Sequence, residues 1–169
     1  SVINNIFLNK ENAFFNFASL MNLNVLDTKS AIKFLEGLNI DDKIFTKEAI
    51  SKLDKYTKFH PFYLVKTIQE SYIKALIESS NIIQSNHIDE AIDKICDDNN
   101  AYFESIWQKV NHKKYKGAIF KGYCKDKNSI KEIDMNKSYK SQLIKELREE
   151  SLLFNDNTPT DPFLCIWLK

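Results

Sequence analysis

A chain of 169 residues, 43% hydrophobic and 28% charged, has room for one large or two small soluble domains with a real core, and is not the composition of a disordered or collagen-like chain. Three glycines and three prolines leave little material for tight turns and favour helices. The net charge of +1 conceals an asymmetry: residues 1–111 hold 12 Lys against 15 acids, whereas residues 112–169 hold 12 Lys and Arg against 8, so a nucleic-acid contact would belong to the second part.

In chain order, Ser1 to Phe7 reads as a short helix or helix end, Asn9 to Asn12 as a polar loop, and Ala13-Phe14-Phe15-Asn16-Phe17 as an aromatic knot that needs cover. Leu20 to Leu26 reads as a short extended segment. Asp27-Thr28 then caps a helix running to about Leu38, with Ala31, Ile32, Phe34 and Leu35 inward. Asp41-Asp42-Lys43 is a turn. Thr46 caps the next helix, with Glu48 in its first turn and Ala49, Ile50 and Leu53 inward, ending near Lys58.

Lys58-Phe59-His60-Pro61-Phe62 opens the next helix, to about Ser79. Proline fits the first turn of a helix, where its missing N–H would have had no partner. Val65, Ile68, Tyr72 and Leu76 recur at helical spacing and predict the inward stripe, widened by Leu64 and Ala75. His60 stands where unpaired N–H groups and the positive end of the helix dipole can receive an anion. Asn81 to Asn86 is a loop, and Ile88 to Asp98 a helix with Ile88, Ala91, Ile92 and Ile95 inward. These segments predict a compact helical bundle.

From Asn100 the texture changes. Tyr102, Phe103, Ile106 and Trp107 begin an aromatic helix. Lys113 to Cys124 is predicted as a helix with Tyr115, Ala118, Ile119 and Tyr123 inward, followed by a short helix capped by Ser129. A longer helix begins at Ser138, with Tyr139, Leu143, Ile144 and Leu147 inward. Leu152-Leu153-Phe154 reads as a strand, Asn155 to Asn157 as its turn and Phe163 to Leu168 as the return strand. Three helices and a β-hairpin in this order make a winged helix-turn-helix. The expected fold class is therefore mainly α: a helical lid-like domain over 1–99 and a winged helix over 100–169.

Four stretches in this order resemble the C-terminal part of a P-loop ATPase of the AAA+/STAND kind, in which a core is followed by a helical lid and a winged helix. They are Ser1 to Phe17, Leu23 to Leu35, Tyr56 to Val65 (similar to the lid's Gly-His-Pro motif) and Asp161-Pro162-Phe163 with Ile166-Trp167-Leu168-Lys169 (similar to the family's Asp-Pro…Trp-Leu ending). The resemblance implies that His60 and Pro61 form the lid's nucleotide-sensing pair. Phe59 departs from the pattern, standing where the family has glycine. There is no Gly-x-x-x-x-Gly-Lys-Ser/Thr and no strand ending in paired acids, so phosphoryl transfer has no machinery in this chain. It is expected not to be an enzyme by itself. ATP or ADP would be bound only together with a separate ATPase core, of which this chain would be a C-terminal fragment or a partner.

In the winged-helix region, Lys137, Ser138, Tyr139, Lys140, Gln142, Lys145 and Arg148 are the candidate contacts to double-stranded DNA, being suited to phosphates and base edges. Glu146, Glu149 and Glu150 share the helix and oppose that role, so a partner protein is the competing expectation. A stand-alone DNA-binding regulator and a purely structural interaction module are the alternatives from other classes.

His87 and His112 have no Cys or carboxylate at metal-ligand spacing and read as surface or capping residues; no metal site is expected. Cys96, Cys124 and Cys165 are far apart and read as thiols in a reducing compartment. No apolar run approaches the ~20 residues of a membrane span, and no signal-peptide pattern opens the chain, so a cytoplasmic protein without a membrane partner is expected.

Overall fold

The computed structural model describes residues 26–37 and 43–169. The expected N-terminal helix, the aromatic knot at Ala13–Phe17, nearly all of the Leu20–Leu26 segment and the Asp41-Asp42 turn lie outside the described residues. Among those described, the chain is mainly helical, with a two-residue parallel strand pair. None of its helices is long and apolar enough to cross a membrane. Its residues divide into two compact units, one of 24–108 with 162–169, the other containing 109–161.

The first unit contains α1 (Thr28–Gly37), β1 (Ile44–Phe45), α2 (Lys47–Thr57), α3 (Pro61–Ile77), β2 (Ile82–Ile83), α4 (Ser85–Asp98), most of α5 (Asn100–Asn111) and α8 (Pro162–Trp167). Asp27 heads α1, its carboxylate accepting the Ser30 N–H at 3.0 Å. Thr46 caps α2 through the Ala49 N–H at 3.1 Å, as its residue type predicts. Ala31, Leu35, Ala49, Leu53, Leu64, Ile68, Ala75, Ile88, Ala91, Ile92, Ile95 and Phe103 make the core, whereas Phe34 is largely exposed. β1 and β2 pair parallel in the register Ile44↔Ile82 and Phe45↔Ile83, with α2 and α3 as the crossover that parallel pairing requires. Two residues are too few for any alternation to announce them.

Two histidines have local duties. The buried His87 accepts the Gln84 N–H on Nδ1 at 3.1 Å, so its Nε2–H donates to Glu78 at 2.9 Å. It caps α4, one turn earlier than the sequence predicts. His112 is exposed and bonds Lys109 O through Nδ1.

The inward face of α3 differs from the predicted stripe. Leu64, Thr67, Ile68, Ser71 and Ala75 are buried, while Val65 is 44% and Leu76 49% exposed. This helix is apolar around most of its circumference, and periodicity cannot choose between two apolar faces. The Thr67 and Ser71 hydroxyls on the buried side then weigh against the correct choice. The Ser71 hydroxyl donates to the Thr67 carbonyl at 2.5 Å, with the Ile68 carbonyl at 3.2 Å, a local back-bond that lets serine sit inside.

The larger correction concerns Phe163 to Leu168. Instead of a return strand, Pro162–Trp167 is helical, in the unit of α1 to α5. Proline again stands at a helix start, and a six-residue apolar run carries no periodic signal separating strand from helix. Phe163 and Leu164 are fully buried, and the Trp167 indole donates to Asn100 Oδ1 at 2.8 Å.

In the second unit, α6 (Lys114–Lys125), a 3-10 turn (Lys127–Ile130) and α7 (Lys137–Glu149) are followed by an abbreviated hairpin. Asp126, and not Ser129, caps the 3-10 turn, accepting the Asn128 N–H at 3.2 Å. A side chain at Gly122 would come within 2.9 Å of Ile130 Cγ1, so glycine there lets the turn lie against α6. The buried face of α6 is Lys116, Ile119 and Phe120, with Tyr115 exposed; an aromatic ring was the more apolar choice, but Lys116 takes its place inside. α7 buries Leu143 and Leu147 as predicted and leaves Tyr139 exposed. The hairpin folds back within Leu152–Thr160: Phe154 N–H donates to Thr158 O at 2.8 Å and Thr160 N–H to Leu152 O at 3.1 Å, around a Leu153↔Pro159 bridge.

Cys96 forms no disulfide.

Candidate functional site

The start of α3 is the most unusual backbone in the first unit. Lys58 and Phe59 both have φ of 49°, the left-handed region that non-glycine residues seldom enter. Lys58 terminates α2 by donating to Asp54 O at 2.9 Å, and Phe59 N–H is held by Thr57 Oγ1 at 3.1 Å. Phe59 O accepts the Leu26 N–H at 3.1 Å, while its ring is almost completely buried. The ring thus anchors a backbone that its own Cβ disfavours, a strain on the order of 1 kcal/mol. Phe59 thus adopts a conformation that glycine would favour.

This double kink sets His60 as the N-cap of α3, in extended conformation and with no side-chain hydrogen bond to the helix. His60 Nδ1 is buried without a hydrogen-bond partner among the described residues. Pro61 opens the helix. The imidazole lies 5.3 Å from the Tyr63 ring, which stacks on Phe163 at 4.1 Å with 10° between planes. Phe62, edge-on to Tyr63 at 5.1 Å, is 63% exposed. A 17-residue helix with no side-chain cap and a nitrogen wanting a partner beside its first turn is an environment suited to an anion. The proline and the helical stripe made this location legible; the left-handed pair, having no glycine, left no sequence signal.

The candidate contacts on α7 divide. Lys137, Ser138, Tyr139, Gln142 and Lys145 are exposed. Lys140 is turned to the protein, donating to Ile130 O at 2.8 Å and Ile133 O at 3.1 Å. Arg148 donates from Nε and Nη2 to Asn157 Oδ1 at 3.0 and 2.7 Å, clasping the hairpin turn. Lys145 pairs with Glu149 at 3.7 Å, and Gln142 reaches Glu146 at 3.4 Å.

The acids of α7 have a second purpose that the sequence did not reveal. Lys116, whose side chain is 1% exposed, meets Glu150 at 2.5 Å and Glu146 at 3.8 Å, and Lys113 joins Glu146 at 2.9 Å. The hydrogen bond from Lys113 holds the Glu146 carboxyl below the usual glutamate range. Lys113 and Lys116, at the start of α6, therefore clamp Glu146 and Glu150, at the end of α7.

Among the described residues no group of three or more His, Cys, Asp or Glu is placed to hold a metal ion. The chain matches no known family model, no curated protein and no solved structure.

Proposed function

We propose that this chain is a regulatory C-terminal region of a P-loop ATPase, in which the start of α3 senses a nucleotide phosphate and the second unit, in the manner of a winged helix, engages a partner. The single observation that carries the reading is the buried, unpartnered His60 Nδ1 beside the uncapped first turn of α3. A phosphate there would accept the orphan backbone N–H groups and a proton-bearing imidazole nitrogen together, charge-assisted hydrogen bonds of the stronger kind. His60 and Pro61 would be the sensing pair, and catalysis would remain with a separate core.

Inorganic pyrophosphate titrated into the full chain by calorimetry tests this reading. Replacing His60 by Ala should weaken binding about tenfold, the equivalent of losing one such bond at ~1.4 kcal/mol. Equal affinity in the variant, or no binding in the parent chain, removes the proposal.

For the second unit, a protein partner fits better than duplex DNA. Lys140 and Arg148 are committed to internal hydrogen bonds and Lys145 is paired, so few free cations face outward on α7. Phosphate contacts would make log affinity fall linearly with log salt, by about 0.9 per phosphate neutralised. We expect no measurable duplex affinity at 50–200 mM salt by fluorescence anisotropy; tight binding with a slope of several contacts would restore the DNA reading.

A further inference from the structure

The outer face of α3 has an order of its own. Phe62, Val65, Gln69, Ile73 and Leu76 lie on one side of the helix, opposite the buried Leu64, Ile68, Ser71 and Ala75. All five are exposed: Phe62 63%, Val65 44%, Ile73 48% and Leu76 49%, with Gln69 at the centre. A monomer seldom presents so continuous an apolar stripe, and no charge interrupts it. The flanking cations have partners already, Lys66 on Glu70 at 3.1 Å and Lys74 on Glu90 at 2.9 Å. Exposed Ile77 and, on the adjoining strands, Ile44 and Ile82 add to the apolar surface of this unit.

The spacing along the stripe is 3, 4, 4, 3, and it reads the same in either direction from Gln69. That is the pattern an isologous contact requires, because a two-fold axis makes residue i meet j while j meets i. With the axis at Gln69, two antiparallel copies of α3 would set Phe62 against Leu76 and Val65 against Ile73, apolar on apolar throughout. The two Gln69 amides, each both donor and acceptor, would meet at the axis and satisfy one another. The four apolar residues of the stripe expose roughly 400 Å² per copy, about half of the ~800 Å² that each partner gives to a standard interface, so the contact is of the weak, reversible kind.

We infer that the outer face of α3 is a homodimer interface, occupied by the same face of a second copy running antiparallel about Gln69. It leaves the buried side of His60 untouched and does not depend on nucleotide sensing.

Sedimentation equilibrium of the full chain over roughly 1–200 µM should give a monomer–dimer equilibrium approaching twice 19.8 kDa. Replacing Ile73 by Glu, a change at an exposed position, should weaken dimerisation about 100-fold with unchanged far-UV circular dichroism. In a Cys96→Ser background, Gln69→Cys should oxidise to a covalent dimer, because only the axis brings equivalent positions together, while Asp93→Cys on α4 should not. A monomer at every concentration overturns the inference, whether the face is covered by the chain's own residues or kept for another protein. So does a dimer indifferent to Ile73→Glu, or one in which Gln69→Cys cross-links no better than Asp93→Cys.

Discussion

Replacing Phe163 by Ala is expected to destabilise the first unit by about 4 kcal/mol, the usual cost of emptying a phenylalanine site in a closed core. Phe163 is fully buried and lies flat against Tyr63, so the change removes both its volume and a stacked pair. Both tryptophans, Trp107 and Trp167, belong to this unit, and their fluorescence in a urea titration follows its unfolding without interference from the other. The midpoint should fall steeply. Because Tyr63 also contacts the His60 ring, the variant should bind pyrophosphate more weakly than the parent even under conditions where it remains folded. A loss below about 1 kcal/mol would mean that α8 is not docked into this core.

The second large effect lies in the lysine–glutamate clamp. Replacing Glu146 and Glu150 together by Gln leaves the Lys116 ammonium buried without a counter-charge, and should cost about 3 kcal/mol, at the low end for a broken buried pair because Glu150 is half in solvent. Replacing Lys116 by Met should do far less, within about 1 kcal/mol of the parent, because Glu146 keeps Lys113 and Glu150 can turn to water. Hydrogen exchange at Ile119 and Leu143, whose side chains lie in the core between these helices, reads both variants. Equal losses in the two would refute the asymmetry.

The clamp also predicts an acid limb. Lys113 depresses the Glu146 carboxyl from its ordinary value near 4.5, so its contribution is present above that pH and is lost as pH falls through the lower folded value. Stability of the second unit should therefore decline below about pH 4.5, and Glu146→Gln should flatten that part of the curve.

What could be read from the residues followed the strength of each local signal. Thr46 ahead of α2, the 3.6-residue pattern in α4, and Leu143 and Leu147 in α7 were legible because cap chemistry and one-sided apolarity agreed there. α3 was recognisable as a helix, yet its orientation was not, since Val65 and Leu76 look as suitable for a core as Leu64 and Ile68 do. The run from Phe163 to Leu168 was misread as a strand because six apolar residues have no period. Lys116 was invisible for a different reason: a charged residue enters a core only when its partners arrive, and Glu146 and Glu150 lie thirty or more positions away in sequence. At the candidate site the position was legible and the geometry was not. His60 and Pro61 mark the helix start, but nothing in Lys58-Phe59 tells of a left-handed pair, which long-range anchoring of the Phe59 ring imposes.

The phosphate contact that the start of α3 would itself supply, before any core completes a nucleotide site, is tested most directly by titrating ADP into the full chain and following the backbone amides by NMR. Saturable shifts should concentrate at Phe62, Tyr63 and Leu64, the first N–H groups of α3, with the His60 ring moving in step, and in His60→Ala should need about tenfold more ADP to reach the same saturation. Absence of shifts there, or shifts confined to the exposed lysines of α7, would contradict a phosphate-sensing role for the start of α3.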